Sequence, residues 1–426
     1  MIYSKKIDRI AEYDVMIVGG GASGIAAAIS AAQMGARVAI VEHSGIIGGG
    51  LTIGHIGPTM GRYGKNTIAD RINKLIGCDK RLVQDFEMTK IHLSALIDEY
   101  GITAYLNTTL ADVITTDGKI SDIIVTSQSG LVAIGAKVFI DATGDGVVAY
   151  LCGEDYEMGR EDGLVQPATI MFTIDGVSPD QPLICRHEEM DTQLKGGSYL
   201  QLCKDACKRG ELPDTINIVR LYPTSSPTER MVNATQVNGI NGLDPIDYSK
   251  AQILLRKQML SVLSFLKNNV EGFENIHIKD SSDIVGIRET RRIKGKYTLT
   301  AEDLIESRRF DDTVVHDVAF PLDIHNPSGA GQAESDGRPV EVVSYDIPYR
   351  VMLPIKTGNL YLCGRCISGT HRAHASYRVM NIAMSIGEAA GIGAALCAKN
   401  ACSACDLDYK CVQDVLISRG IKLFDK

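Results

Sequence analysis

The sequence predicts an α/β protein, a parallel sheet with a crossover helix and an attached three-stranded β-meander, interrupted by an inserted α+β domain. Three observations carry this. Residues 13–42, YDVMIVGGGASGIAAAISAAQMGARVAIVE, read as strand, glycine turn, helix, strand and acid. Short β-branched runs at 110–115, 120–126 and 131–134 are joined by Asp117-Gly118 and Ser129-Gly130, which suit hairpin turns. The texture changes between 154 and 343, and an apolar strand and a Gly/Ala-rich helix then return.

In the first unit, 15–18 is the buried strand. Gly19, Gly21 and Gly24 give G-x-G-x-x-G: a tight turn, a place where a pyrophosphate can approach the backbone, and a close helix–strand contact. The helix spans about 22–34, its N-terminal amides suit an anion, and Gly35 stops it. A second strand at 37–41 ends in Glu42, placed to accept from a ribose hydroxyl and to repel a 2′-phosphate. Gly48, Gly49, Gly50, Thr52, Gly54, Gly57, Gly61 and Gly64 follow, too flexible a run for an element interior and suited to backbone lying against a flat ligand.

Helices are expected at 65–76 and 83–100, then a strand at 102–107 and the meander. A separate apolar strand at 137–140 leads into DATGDG, 141–146. The inserted block has β-rich segments at 169–174 and 217–222, a long helix at 249–268, and an alternating strand-like stretch at 283–298. Thr300 to Asp303 has the form of a capping box, and 321–338 is polar and rich in Gly and Pro. The returning part has a strand at 360–363, a helix at 379–397 and a terminal helix at 406–420. The expected division is 1–153 and 344–400 for the sheet domain, 154–343 for the inserted domain, and 401–426 for a helical tail.

The chain has 426 residues, 45% hydrophobic and 23% charged, enough for two or three domains. A net charge of −8 argues against nucleic acid and anionic membranes as general partners. No charge-free apolar run reaches spanning length, and the N-terminal MIYSKKIDRIAEYD has no apolar core of a signal peptide. The expected location is cytoplasmic, where the 11 cysteines stay mostly as thiols.

Several side chains could carry chemistry. Cys363 and Cys366 have redox-dithiol spacing, but the first lies on an apolar strand where small buried thiols are common. Cys402, Cys405 and Cys411 have no nearby histidine to complete a metal site. Arg288, Arg291, Arg292, Lys294 and Lys296 form a basic run. On a strand, Arg288, Thr290 and Arg292 share a face and would bind a carboxylate; the alternative is a solvated face. His325, His371 and His374 lie in polar or Gly/Pro-rich segments and suit proton transfer near neutral pH.

GGGASG with Glu42, the meander ending in VFIDATGDG, and NLYLCGRCIS…RVMNIAMSIGEAAG together resemble the glutathione-reductase-like flavoproteins with two dinucleotide-binding motifs. GIRETRRIKGKYTLTAEDL and PLDIHNPSG are similar to segments of the FAD-dependent oxidoreductases, relatives of the fumarate reductase and succinate dehydrogenase flavoproteins. The resemblance covers nearly the whole chain. It implies a Rossmann-like FAD-binding domain, an inserted substrate or cap domain, non-covalent FAD and a small-molecule substrate. Gly19, Gly21, Ala22, Ser23 and Gly24 would hold the pyrophosphate. Glu42 and His43 would lie at the adenosine end, and the backbone at Leu110 near adenine. Thr143 and Gly144 would line the cofactor, with Gly49, Gly50 and Thr52 beside the isoalloxazine. Gly364, Arg365, Arg378, Met380 and Asn381 would flank the flavin side, where a helix N-terminus favours the charge of reduced flavin. The wider superfamily often has an acid where this chain has Arg365, which either pairs with phosphate or faces elsewhere.

The implied activity is hydride transfer between flavin and a small, anionic, carboxylate-bearing metabolite. The alternatives are a flavin disulfide reductase using Cys363 and Cys366, and a binding or electron-transfer flavoprotein. Arg288 and Arg292 are the candidate anion binders, with Arg372 and Arg378 able to serve the same anion. His325, His371 and His374 are the candidate proton-transfer groups, His325 first. His55 is the other histidine to consider against the isoalloxazine. The electron partner and the oligomeric state are left open, a homo-oligomer included.

Overall fold

The computed structural model describes residues 4–78, 82–186, 192–331 and 339–424. The expected polar stretch 321–338 runs into 332–338, which lies outside the described residues.

β1 (Arg9–Val18), α1 (Ala22–Gln33) and β2 (Val38–Val41) form the strand–helix–strand unit. α2 (Ile68–Ile76) and α3 (Phe86–Glu99) start at side-chain caps from Thr67 and Asp85. β3 (Thr103–Tyr105), β4 (Thr109–Thr116), β5 (Lys119–Ser127) and β6 (Gly130–Asp141) complete the main sheet apart from one late strand. Its order is β3-β2-β1-β6-β5-β4; β1, β2, β3 and β6 run parallel, and β4, β5 and β6 form the antiparallel meander. The separate strands expected at 131–134 and 137–140 are one. The first half of β6 pairs with β5 while its second half runs beside β1, so a single strand serves both meander and parallel sheet.

α4 (Val147–Leu151) and β7 (Tyr156–Met158) lead away from this sheet. β8 (Phe172–Asp175), the short hairpin β9 (Gln193–Leu194) and β10 (Gly197–Ser198), and α5 (Tyr199–Lys208) follow. β11 (Arg220–Pro223), β12 (Arg230–Asn233), α6 (Pro245–Asn269) and β13 (His277–Ser281) complete a second unit. Its antiparallel sheet has the order β11-β12-β8-β13. It has its own core, in which Phe172, Tyr199, Phe265 and Phe273 are buried. α6 starts before the expected 249, because Asp244 accepts from the Ile246 and Asp247 amides and Pro245 occupies the first turn.

The alternating stretch 283–298 is mostly irregular. Only β14 (Arg291–Ile293) is a strand, paired with β7. Its backbone is anchored piecemeal, Asp283 N to the Ile53 carbonyl and Gly286 to Thr169, so it straps the two units together. α7 (Ala301–Ile305) opens with both bonds of the Thr300–Asp303 capping box. β15 (Thr313–Val318) pairs with β16 (Tyr345–Pro348). Ile293, Leu304, Val315 and Leu322 are buried in the first core, not the second.

β17 (Leu360–Leu362) pairs with β6 at Phe139–Asp141, beyond the point where β5 leaves it. The segment after Gly369 holds a helix the sequence reading did not foresee, α8 (His371–Tyr377), capped by Thr370. α9 (Met380–Asn400) and α10 (Tyr409–Ser418) follow. α9 lies against α1 at near-backbone contact. A Cβ on Gly387 would sit 2.1 Å from the Ser23 carbonyl oxygen, and one on Gly391 2.2 Å from that of Ala27. α9 is long and apolar enough to cross a membrane by length and composition, yet 89% of that window is buried inside the fold. Each large aliphatic side chain buried there contributes about 1.5–3 kcal/mol.

Candidate active site

The three glycines of the first turn do different work. A Cβ on Gly19 would meet the Ala142 carbonyl oxygen at 2.4 Å, and one on Gly24 would meet the Gly19 oxygen at 2.0 Å. Both are required by the protein's own packing. A Cβ on Gly21 would meet nothing within 4 Å. Gly21 is the N-cap of α1, with no side-chain cap and no acid in the first turn. The first helical bond runs from Ile25 N to the Gly21 oxygen, so the amides between have no acceptor within the helix. Open space, free amides and the positive helix end fit a pyrophosphate.

Glu42, buried at the end of β2, takes the Gly20 amide on Oε2 at 2.7 Å. Its Oε1 takes the Ser44 amide at 2.8 Å and hydroxyl at 2.7 Å, and lies 3.0 Å from His43 Nδ1. Burial pulls the Glu42 pKa up, but the hydrogen bonds from His43 and Ser44 outweigh it and hold it below the usual value. Oε2 therefore stays an anionic acceptor with capacity beyond Gly20, suited to a ribose hydroxyl. Leu110, half-buried on β4, pairs with Val125 of β5.

At the other end of the turn, the Gly48 amide donates to the Gly20 oxygen at 2.7 Å, and Gly49 packs on Gly21. The glycine run thus lies against the first loop. Gly50 is covered by Ile56 and Met380. The Thr52 side chain is buried, and its hydroxyl donates to the Ile47 oxygen, so any role beside a ligand falls to its backbone. Gly364 faces Ser23, where a Cβ would be 2.6 Å from the hydroxyl oxygen. α9 begins at Val379 without a side-chain cap and without a first-turn acid. Asn381, buried, spends its side chain on Gly61 O and Asn73.

Asp141 accepts from Thr143 N and Oγ1 and from Ala149 N, which folds the DATGDG loop. Arg365 donates to Asp145 Oδ1 at 2.9 Å and to the Ile287 carbonyl, and it closes over Gly144. The observed partners of this arginine are therefore Asp145 and a backbone carbonyl.

The three basic and hydroxyl side chains expected on one strand face diverge, because Arg288 and Thr290 both precede β14. Arg288 Nη1 donates to the Pro167 oxygen at 2.6 Å and Thr290 donates to Asp145. Arg292 donates to Glu289, to the Gly369 oxygen and to the Gly159 oxygen. Three of its N–H groups are used within the protein, so Arg292 braces the strap from inside, and it also borders the cleft described below.

Arg288 and Arg378 instead converge, with Asp323 and His325 between them. Arg378 Nη2 lies 3.3 Å from Asp323 Oδ2, and His325 Nε2 lies 3.5 Å from the same oxygen. Burial, then repulsion from Arg378, lowers Arg288 to about 9. Burial, then Arg288, pushes His325 down to about 3, so its ring is neutral at neutral pH. Against the penalty of burial, His325 and Arg378 hold Asp323 far below the usual carboxylate range. Gln166 joins this group: its Oε1 accepts from His325 N at 3.3 Å and Arg378 Nη2 at 3.4 Å. No motif marks Gln166 or Glu289 in the sequence, and both were missed.

The other two histidines take separate positions. His371 Nδ1 lies 2.9 Å from Glu289 Oε1. With Arg292, Arg372, Arg160, Glu157 and Glu302, it lines a cleft of about 900 Å³. None of the first-turn glycines borders that cleft. His374 is buried; burial and then Arg292 and Arg378 hold its pKa well below the ordinary value. His55 stacks on Phe86 at 4.3 Å and lies 3.4 Å from Asp280. Burial pushes the Cys363 thiol up to about 12 and holds the Cys366 thiol well above its ordinary value, which disfavours thiolate chemistry. Among the described residues, no group of three His, Cys, Asp or Glu is placed to hold a metal.

Comparison with known proteins gives the family. Residues 14–416 match the family described as FAD dependent oxidoreductase. Thiamine thiazole synthase of Pyrococcus horikoshii is 28% identical over 152 residues, 32% of this chain and 58% of that protein. The enzyme of Methanococcus aeolicus is 32% identical over 156 residues, 33% of this chain and 58% of that protein. The match thus spans little more than half the length of either relative. A solved geranylgeranyl bacteriochlorophyll reductase-like protein of Thermoplasma acidophilum aligns at TM-score 0.48 and 13% identity, covering 96% of this chain and 84% of its own. A flavin-dependent brominase aligns at TM-score 0.49 and 12% identity, covering 96% and 83%. With the family match running over almost its whole length, the chain belongs to the FAD dependent oxidoreductase family.

Proposed function

We propose that this FAD-dependent enzyme transfers hydride between flavin and a small carboxylate-bearing metabolite held where Arg288, Arg378, Asp323 and His325 meet. One observation carries the reading: buried Arg288 and mostly buried Arg378 converge on Asp323 and His325, and their like charges disfavour one another. An arriving carboxylate relieves that repulsion through charge-assisted bonds. Bound FAD supplies the two-electron chemistry. Gly21, the α1 amides and Glu42 are the groups to hold its pyrophosphate and adenosine ribose. The α9 N-terminus is the group to offset negative charge at the flavin ring.

The remaining work falls to side chains near the strap. Arg288 and Arg378 would orient the anion. His325, neutral in the resting site, would accept or return the proton that accompanies hydride. Its low basicity rises once a substrate carboxylate screens Arg288, which ties proton transfer to a filled site. Anaerobic mixing of the holoenzyme with short carboxylic, hydroxy and amino acids, followed by flavin absorbance, tests the reading. A carboxylate should bleach or restore the flavin band, and Arg288→Met should abolish the response. Equal response in that variant, or response only to uncharged compounds, overturns it.

A further inference from the structure

Two hydrogen-bond donors in the same place have no acceptor among the described residues: Gln166 Nε2 and Arg378 Nε, both buried. They belong to side chains already bonded to one another, since Arg378 Nη2 reaches Gln166 Oε1 at 3.4 Å. The amide cannot be turned to satisfy them. Its oxygen already faces two donors, the His325 amide and the Arg378 guanidinium, so reversing it would set N–H against N–H. The His374 Nδ1, four residues before Arg378 on the same short helical stretch, is likewise buried without a partner. Buried polar atoms are almost always paired in folded proteins, so three orphans around one arginine mark a place for another molecule.

We infer that Gln166 and Arg378 form the carboxylate-recognition site of the substrate, with Gln166 the residue that selects it. This rests on the anionic substrate proposed above and names what reads the anion. The donors come from a planar amide and a planar guanidinium edge, which suit the two in-plane oxygens of a carboxylate better than a tetrahedral phosphate or sulfate. An isoalloxazine carbonyl would also accept from these donors. However, oxidised flavin is neutral and would leave Arg288 and Arg378 repelling each other as before, whereas a carboxylate satisfies the orphan donors and the charge together. Gln166 also positions the site. Its oxygen holds Arg378, and its own backbone amide donates to buried Glu289 at 3.3 Å, the carboxylate that fixes His371 and Arg292.

The test is calorimetric titration of the oxidised holoenzyme with acetate, malonate, succinate, phosphate and sulfate, with no turnover needed. Wild type, Gln166→Met, Gln166→Glu and Arg288→Met are compared, each checked for fold by circular dichroism and for FAD content. At least one carboxylate should bind the wild type more tightly than either tetrahedral anion. Gln166→Met should weaken it roughly tenfold or more, the scale of one lost donor to a charged group. Gln166→Glu, which places a carboxylate beside Arg378, should abolish it. Carboxylate binding that survives both Gln166 variants but not Arg288→Met overturns this inference and leaves the anionic substrate standing. No anion binding by the wild type overturns both. Weakened FAD retention with unchanged carboxylate affinity assigns the donors to the flavin and also overturns it. If Gln166→Met does not fold, Gln166→Glu, which keeps the size and the accepting oxygen, decides.

Discussion

Gly21 and Gly24 differ in what a side chain would meet: open space at the first, the protein's own backbone at the second. Gly21 has φ −73 and ψ −175, a backbone any residue adopts, and open space where its Cβ would go. Gly21→Val should therefore change the apoprotein by only about 1 kcal/mol, the scale of altering a cap residue. A Cβ at Gly24 would lie 2.0 Å from a backbone oxygen, which cannot swing aside as a flexible side chain can. Gly24→Ala should cost the apoprotein about 3 kcal/mol, the upper end of overpacking. With FAD at 100 times its dissociation constant, the wild type gains about 2.7 kcal/mol by mass action. Gly21→Val should gain none of this, because its side chain occupies the pyrophosphate position. Urea melts of each apoprotein with and without added FAD measure both quantities. Wild-type FAD stabilisation in Gly21→Val, or an apoprotein as damaged as that of Gly24→Ala, refutes the reasoning.

His325→Asn, with fold and flavin spectrum intact, should lower the rate of substrate-linked flavin reduction roughly 100-fold; an unchanged rate makes the ring a structural group and passes the role to His371 or His374. His325 and His374 stay neutral in the fold at pH values where an unfolded histidine is protonated, so the unfolded chain binds more protons and stability falls as pH drops below about 6.5. The loss, up to about 1.4 kcal/mol per pH unit for each ring, should extend toward pH 3 for His325. Urea midpoints between pH 7 and 4.5 should show it, with a shallower slope in His325→Asn; identical slopes would count against a buried neutral ring. Cys363→Ser with Cys366→Ser should retain turnover, since both thiols are buried and Cys366 donates to the Asp141 and Cys363 carbonyls. Complete loss of activity with FAD still bound would restore the disulfide reductase reading.

What was legible in the sequence is what local physics dictates. The glycine turn, the crossover helix, the hairpin at Asp117-Gly118 and the Thr300 capping box need only neighbouring residues, and each formed; the second hairpin formed too, with its turn at Gln128-Ser129, one residue before the expected Ser129-Gly130. The stretch 283–298 misled because β-branched alternation describes what side chains prefer, whereas its backbone had no adjacent edge to pair with along most of its length. Its irregular path let Arg288 and Arg292 part, so shared-face reasoning failed there. α6 was misplaced although Asp244-Pro245 spelled its start, a signal outweighed by the apolar run that follows. Gln166 and Glu289 were invisible because neither carries a local pattern. Their significance comes from what a distant part of the chain brings beside them.

Glu289 shows how the fold turns that distance into a site. It lies on the strap between the two cores, its side chain fully buried. Its carboxylate takes Arg292 and His371 on one oxygen and the Gln166 amide on the other. A segment entering the second unit, the helix preceding α9, and the strap itself thus meet at a single charge. Removing that charge would leave a buried guanidinium, an imidazole and an amide without their common acceptor, so the positions of His371 and Gln166 are set together and not singly. The same strap carries Arg288, next to Glu289 in sequence but turned toward Asp323 and His325. Two histidines therefore sit in different surroundings: His371 against Glu289 at the wall of the open cleft, and His325 between Arg288 and Asp323 in the buried cluster. A fold that needed only to join two cores would not bury Arg288, Glu289 and Arg292 along one strap. The anion site proposed above would give that burial a use, since it draws on Arg288 from the strap and on Asp323 and His325 beside it.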